Sequence, residues 1–450
     1  MGRITLKQAA AWCGGTVDEK YEHVSFLGAG NDTRSLSPQS LFVALQGVRD
    51  GHDFIPAAME RGAAAVLCSR RVGDYPAIYV DDPRIALGKI AAAERQRLNL
   101  KVVAVTGSVG KSTTKEMIAQ VLSGTYRTAK TPVNHNNDIG MPMAILAIPE
   151  GTEVAVLEMG MNHFREIAYL SNIAKPDYGV IVIIGTAHIE YLGTVQGILQ
   201  AKMEILEGMG PEGKLFLNGD CDLLQNLARK PLQTTVYFGM DPGCAVRAEE
   251  VSSGNEKLSF TVHAGELQFP VILPMEGMHF VADAMAAVSV GLALGIKPEQ
   301  ISARLSDFQN MDGRQKILHT ENYTIINDCY NAGPESMAAA LRVLGAQTGR
   351  RIAVLGDMLE LGDCAEAEHY RVGRIAAENA DLVFSYGVNA GRIQIGTVTG
   401  GMTDTRSQCF DTHDAMIAAL RRTAKPGDVL LFKGSRGMHM EKVLEGFLEK

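Results

Sequence analysis

Several things this 450-residue chain lacks narrow its function before any motif is considered. Its 7 cysteines (Cys13, Cys68, Cys221, Cys244, Cys329, Cys364 and Cys409) are scattered, odd in number and never spaced C-x-x-C. That excludes a disulfide framework and a cysteine-built zinc site, and it fits a reducing compartment. Long apolar runs are also missing, since residues 179–184 and 281–295 are too short or too interrupted to span a bilayer. Residues 1–10 have no apolar core like that of a signal peptide, so the expected location is the cytoplasm. Positive charge is not in excess. With Lys+Arg 43 against Asp+Glu 51 the formal charge is −8, which argues against wholesale nucleic-acid binding. Phosphates must then be held by local sites. No short-period repeat or low-complexity tract is present. What remains is ordinary for a globular protein, 46% hydrophobic and 21% charged, with a length that implies about three domains.

Residues 101–117, K-V-V-A-V-T-G-S-V-G-K-S-T-T-K-E-M, are the informative stretch. After Lys101, residues 102–105 form an apolar run rich in β-branched valine, as expected of a strand buried on both faces. Thr106, Gly107, Ser108, Val109 and Gly110 then let the backbone turn sharply and leave its N–H groups uncovered. Lys111, Ser112 and Thr113 open a stretch of helix-forming composition with apolar residues at Met117, Ile118, Val121 and Leu122. Strand, glycine turn and helix N-terminus make an anion site, because N–H donors and the positive helix end converge there. Lys111 adds a mobile cation for β- and γ-phosphates, and Ser112 a hydroxyl for magnesium. Val105 stands where the general pattern has its first glycine, so the loop is a shortened G-x-x-G-K-S form. The competing reading is a chance turn ahead of a core helix.

Around this loop the chain keeps an α/β rhythm in three units, residues 1–98, 99–312 and 313–450. In the first, residues 4–12 and 54–61 read as helices and 40–45 and 63–68 as strands. Asp32, Arg34 and His52 lie in polar loops, as solvated residues or as ligands. In the second unit, residues 130–140 (K-T-P-V-N-H-N-N-D-I-G) are a turn by composition, placed where polar side chains can meet a substrate. Residues 154–157 are a buried-type strand ending at Glu158. A carboxylate at such a strand end lies where parallel sheets bind ligands, and it suits magnesium. Residues 178–184 lead to G-T-A-H, which puts His188 at the same edge. Residues 194–207 read as a helix in which Lys202, by spacing alone, is a surface cation. Residues 258–273 alternate as antiparallel strands do around Gly265. In the third unit, strands at 323–327, 351–355, 382–386 and 429–432 end in polar turns, which implies a second parallel sheet with its own ligand edge. The residues alone therefore support a magnesium-nucleotide ATPase or transferase. Its expected fold is α/β with three domains: a small N-terminal α/β domain, a central P-loop ATPase-type parallel sheet domain and a C-terminal Rossmann-like α/β domain.

Over essentially its whole length the sequence resembles the Mur ligase family of peptidoglycan synthesis. The loop T-G-S-V-G-K-S-T-T-K-E has that family's own shortened form. L-E-M-G (Glu158), I-G-T-A-H-I-E (His188) and Q-A-K-M-E-I (Lys202) follow in the family's order. N-H-N-N-D-I-G-M-P, N-D-C-Y-N-A-G-P-E-S-M, G-D-M-L-E-L-G and K-G-S-R-G-M-H-M-E are similar to the branch that adds a D-alanyl-D-alanine dipeptide. N-D-T-R and F-V-A-L-Q-G-V-R-D-G-H-D-F resemble the domain that holds the UDP-sugar.

The resemblance implies an ATP- and Mg2+-dependent amide ligase that joins D-alanyl-D-alanine to UDP-N-acetylmuramoyl-tripeptide through an acyl phosphate. It is expected to act as a cytoplasmic monomer, with no transmembrane segment and no nucleic-acid partner. ATP contacts are implied at Gly107, Ser108, Val109, Gly110, Lys111, Ser112, Thr113, Asp283, Arg314, Asp328 and Asn331. Contacts to the UDP-linked substrate are implied at Thr33, Arg34, Asn134, Asn136 and Asn137. Ser112, with Lys111, would help position one magnesium, Glu158, His188 and a carbamylated Lys202 would serve a second, and Lys111, Glu158, His188 and Lys202 would carry the catalysis. The chain departs from the family at Phe280 and Asp283, where asparagines usually follow His279 and the second meets the adenine. Asn327-Asp328 replaces a common Asp-Asp pair, leaving Asp328 alone for a ribose contact. A sister ligase adding one amino acid is disfavoured by the absence of D-N-P-R. A regulatory ATP-binding protein is disfavoured because a switch has no need of Glu158, His188 and Lys202 beside Lys111.

Overall fold

The structure is a computed structural model describing residues 3–229 and 234–449. Residues 1–2 and 450, the outer ends of the first and third units, lie outside the described residues. Val102, Val103, Ala104 and Val105 are fully buried in the strand Lys101–Thr106, as a β-branched run inside a parallel sheet requires. This strand lies inside a nine-stranded sheet, with Val154–Glu158 parallel on one side and Tyr178–Ile181 parallel on the other. Thr128–Lys130 extends the sheet beyond the first neighbour. Lys214–Asn218, Thr234–Gly239 and Val246–Gly254 extend it beyond the second. The loop after Thr106 therefore opens where the strand order reverses, the position at which open α/β sheets bind ligands. Lys257–Ala264 and Leu267–Leu273 finish the edge as an antiparallel hairpin around Gly265, whose φ is +60°.

A five-stranded sheet precedes this one, in the order Thr16–Val17, Ala77–Tyr79, Ala65–Cys68, Leu41–Val43 and Ala29–Gly30, parallel except for the first pair. A six-stranded sheet follows, in the order Lys316–His319, Tyr323–Asp328, Asp428–Lys433, Arg351–Gly356, Leu382–Tyr386 and Ser407–Phe410, antiparallel only at its first pair. The fold is α/β in three domains.

Among the element boundaries that differ from the sequence reading, two have a visible reason. The helix expected from residue 4 begins at Leu6, because Thr5 and Gln8 form a capping box and Ile4–Thr5 pairs with Ser25–Phe26. The helix expected over 194–207 ends at Met203 and continues as the 3-10 segment Glu204–Gly208. There the Glu204 carboxylate accepts the N–H groups of Arg165 (2.8 Å) and Ala168 (3.2 Å), while Gly208 donates to Ser171 Oγ. The segment is thus drawn onto the N-terminal turn of Glu166–Ala174.

The helix Pro83–Leu98 ties the first two domains together. Asp82 caps it, accepting from Arg84 and Ile85 N–H, and Pro83 supplies a fixed φ at its start. Leu87, Ile90 and Ala91 then join a single core that holds Leu41, Leu67 and Ile78 of the first sheet with Val102, Met141, Ile145 and Leu170 of the central domain. The third domain keeps separate cores on the two faces of its own sheet.

Candidate active site

The phosphate loop has the geometry its sequence requires. Gly110 sits at φ +86°, and an added Cβ would meet Asp283 Oδ1 at 2.6 Å, so only glycine fits without strain. The helix Lys111–Leu122 starts immediately after it with no side chain capping its N–H groups, which leaves those donors for an anion. Lys111 folds back on the loop, its Nζ donating to the carbonyls of Gly107 (2.8 Å) and Ser108 (3.4 Å). Burial pulls its pKa below the ordinary lysine value. The Ser108 hydroxyl accepts Gly185 N–H at 2.9 Å, fastening the loop to the turn that leads to His188.

Glu158 ends its strand opposite Val105 and is 3% exposed. Its backbone N–H donates to Thr131 Oγ1 (3.0 Å), and its Oε1 accepts from Asn136 Nδ2 (2.9 Å). Its Oε2 is buried and accepts no hydrogen bond, although Lys115 Nζ stands 3.8 Å away. Lys115 is wholly buried, donating to Thr131 O at 2.8 Å and pairing with Glu116 at 3.1 Å. His188, at φ +66°, has Nδ1 2.8 Å from Glu360 Oε2 of the third domain, off line for a hydrogen bond. The ring nevertheless holds the Glu360 carboxyl below its ordinary value. Lys202 is 1% exposed and forms no hydrogen bond or ion pair with any described side chain. Burial first, and then the charge of Lys111, push its pKa well down, so a neutral amine is favoured. The surface-cation reading of Lys202 is therefore corrected.

The third domain closes over this edge. Arg314 Nη2 donates to Ser112 Oγ at 3.2 Å while its guanidinium stacks 3.8 Å from the Tyr330 ring centre. Asp328 accepts from Lys433 Nζ (2.6 Å) and Gln315 N–H (3.1 Å), and Lys433 also donates to Asn331 O (3.0 Å). Asn331 Oδ1 accepts from Arg436 N–H. Glu335 Oε1 accepts from both the N–H and the hydroxyl of Thr186, and its Oε2 is left without a partner. Asp283 is 3% exposed and its Oδ1 takes the Thr114 hydroxyl at 2.5 Å. Burial pushes its pKa up to about 7.

One cavity of about 560 Å3 gathers Ser108, Val109, Gly110, Lys111, Ser112, Thr113, Asn134, Asn136, Asn137, Glu158, His188, Asp283, Arg314, Asp328 and Asn331. Gly107 enters the loop behind its wall, and Lys202 lies outside the lining. Thr33 and Arg34 are elsewhere, in the first domain, where exposed Arg34 pairs with Asp32 at 2.6 Å and holds that carboxyl near 2. His52 is a structural pin, its Nε2 accepting Ser69 N–H (3.1 Å) and its Nδ1 2.6 Å from Asp50 Oδ1. Sequence reasoning missed Lys115, Gln315, Tyr330, Glu335, Glu360 and Lys433. Lys115, Tyr330, Glu335, Glu360 and Lys433 sit inside stretches that carried the family resemblance, whereas Gln315 had no signal of its own.

The donor set fits magnesium. Glu158 Oε2 is an unpartnered hard oxygen, and Ser112 supplies a hydroxyl beside the phosphate site. Among the described residues no three His, Cys, Asp or Glu side chains cluster as a metal cage.

Three family descriptions match the chain in order: "Mur ligase family, catalytic domain" over residues 23–95, "Mur ligase middle domain" over 105–291 and "Mur ligase, glutamate ligase domain" over 313–436. The UDP-N-acetylmuramoyl-tripeptide--D-alanyl-D-alanine ligase of Bacillus subtilis (strain 168) is 41% identical, covering 100% of this chain and 99% of the relative. The enzyme of the same name from Escherichia coli (strain K12) is 36% identical over 93% of each. A crystal structure of MurF from Acinetobacter baumannii superposes with a TM-score of 0.92 at 32% identity, covering 100% of both chains. A MurF ligase from Thermotoga maritima in complex with ADP gives 0.83 at 29% identity, covering 94% and 97%. With these likenesses running the length of all three domains, the chain belongs to the Mur ligase family.

Proposed function

We propose that this protein is an ATP-dependent ligase that adds D-alanyl-D-alanine to UDP-N-acetylmuramoyl-tripeptide in peptidoglycan precursor synthesis. The observation that carries the reading is the single cavity in which the phosphate loop, the bare Oε2 of Glu158 and the third-domain residues Arg314, Asp328 and Asn331 meet. The names of the relatives, and the ADP held by the Thermotoga protein, supply the substrate classes. Residues 1–98 bind the UDP-sugar through Thr33 and Arg34, residues 99–312 bind ATP, and residues 313–450 close over it.

In the reaction the tripeptide carboxylate attacks the γ-phosphorus and ADP leaves, giving an acyl phosphate. The dipeptide amine then attacks the acyl carbon, loses a proton and expels phosphate. Lys111 swings from the Gly107 and Ser108 carbonyls to the phosphates, whose remaining charge meets the free N–H groups of the following helix. Asn136 fixes the Glu158 carboxylate, and Arg314 brings a third-domain cation to Ser112. Ser112, Glu158, His188 and Lys202 as its carbamate would hold Mg2+, which would supply neutralisation of the developing phosphate charge. Of the residues lining this cavity, Asn134 and Asn137 are assigned to the UDP-linked substrate and Asp328 and Asn331 to the nucleotide. The enzyme works in the cytoplasm as a monomer. No helix among the described residues is long and apolar enough to cross a membrane.

Incubation with ATP, Mg2+, UDP-N-acetylmuramoyl-tripeptide and D-alanyl-D-alanine tests this directly. Phosphate release and the pentapeptide product, followed by mass, are expected to depend on all four components. Phosphate release without a product of added dipeptide mass overturns the assignment.

A further inference from the structure

A buried acid stands against the phosphate loop with no cation to neutralise it. Asp283 lies in the first turn of the helix Phe280–Ala293, so close to the loop that Gly110 has no room for a Cβ. Its hydrogen-bond partner is a neutral hydroxyl, that of Thr114 on the facing helix. The charges around it are turned elsewhere. Lys111 donates to loop carbonyls, and Lys115 is held by Thr131 and Glu116. Arg314 acts on Asp283 only from a distance. His279, one turn earlier, is kept neutral at physiological pH because burial and then Lys433 bring its pKa down to about 4. The strands Lys214–Asn218, Thr234–Gly239 and Val246–Gly254, and the helix Pro298–Ser306, bring no charge that acts on it.

Such a carboxylate and a nucleotide polyphosphate cannot share a sheltered site without strong repulsion. We propose that nucleotide binding to this protein is coupled to uptake of a proton by Asp283, which in the complex is a neutral, hydrogen-bonding acid. The inference rests on the reading of the cavity as the ATP site and adds a regulation to it. The proton comes from solvent as the nucleotide enters and returns when it leaves. Because burial places the group near 7 before any ligand arrives, the coupling falls in the working range of a cytoplasmic enzyme. The sign follows directly: as pH rises through this value the free protein loses the proton that binding requires, so affinity falls with rising pH. An asparagine at this position would be uncharged at every pH and would show no such dependence.

Calorimetric titration of the full chain with ADP, in buffers of different ionisation enthalpy, reads the proton count. Asp283→Asn is the reference, and the ionisation of the nucleotide's own terminal phosphate is common to both and drops out of the difference. The native protein is expected to take up about 0.5 proton more than Asp283→Asn at pH 7 and about 0.9 more at pH 8. Relative to the variant, its affinity is expected to weaken about tenfold between pH 6 and pH 8. Thr114→Val removes the hydroxyl that favours the ionised form, so it should move the onset of proton uptake to higher pH. This second variant carries the test if Asp283→Asn does not fold. Equal proton uptake by native protein and folded Asp283→Asn, or an onset unmoved in Thr114→Val, overturns the inference while leaving the nucleotide site intact. Absence of ADP binding to the native protein overturns the ATP-site reading itself.

Discussion

Lys202 shows how far a side chain's spacing and its surroundings can disagree. Periodicity saw a polar residue on a helix, and only the family resemblance pointed inward, whereas the folded chain buries the amine almost completely. Its lowered pKa sets a stability effect with a definite sign. Below 10.5 the unfolded chain binds a proton that the folded chain resists, so stability rises with pH from the folded value up to that limit. Lys202→Met should therefore raise stability at pH 7, measured by denaturant melts, while abolishing ligase activity. Lys202→Ala should regain part of its activity in high bicarbonate or a small carboxylate that fills the space, and Lys202→Arg, which cannot form a carbamate, should stay inactive. Full activity of Lys202→Arg would reduce the residue to an ordinary cation. Lys111 was more legible, because its chemistry follows from its place after a glycine turn. Its bonds to loop carbonyls hold no other element. Lys111→Ala should melt near the native temperature and release phosphate about a hundredfold more slowly or worse.

At the scale of elements, the strands around the phosphate loop were readable because burial on both faces imposes uninterrupted β-branched runs. The bends were not. Where the chain breaks at Glu204, the cause is a carboxylate capping another helix 36 and 39 residues away in sequence, which no local window contains. The same limit hid Lys115, whose partners Thr131 and Glu158 come from two other elements. Gly110 joins the local and distant constraints, since its positive φ is legible from the motif and the crowding by Asp283 is not. Gly110→Ala should accordingly do more than strain the loop. With an unfavourable φ costing about 1–3 kcal/mol and a methyl pressed on a buried carboxyl, it should lower the melting temperature and remove ADP binding together. A variant that melts as the native protein does and binds ADP normally would show that the loop tolerates a side chain there.

For the whole molecule, the decisive difference is between its two domain junctions. The first and central domains share one apolar core through the helix Pro83–Leu98, so separating them would expose Leu87, Ile90, Met141 and Leu170 to water. The third domain meets the centre mainly through polar bridges, Arg314 to Ser112, Glu335 to Thr186, Gln347 to Glu276 and Glu360 near His188, with Ile189 packing against its core. Junctions of that kind let a domain rotate away at little expense in buried apolar surface. Composition and motif order revealed three domains, but not which junction is rigid, because that depends on where buried residues from distant segments meet. The third domain is thus the part expected to move, and Glu335 is its most direct fastening, taking both donors of Thr186 on one oxygen. Glu335→Ala should release it without disturbing either core. The expected outcome is an unchanged melting temperature, a larger radius of gyration in solution scattering of the free protein, and a return to the native value with ADP and UDP-N-acetylmuramoyl-tripeptide at saturation. Turnover at saturating ATP should change little while KM for ATP rises several-fold, because ligand binding must now supply the closure that the Glu335 bridge supplies in the native chain. If the free variant keeps the native radius and the native KM, the third domain is held by something other than this polar seam, and closure is not the step that assembles the site.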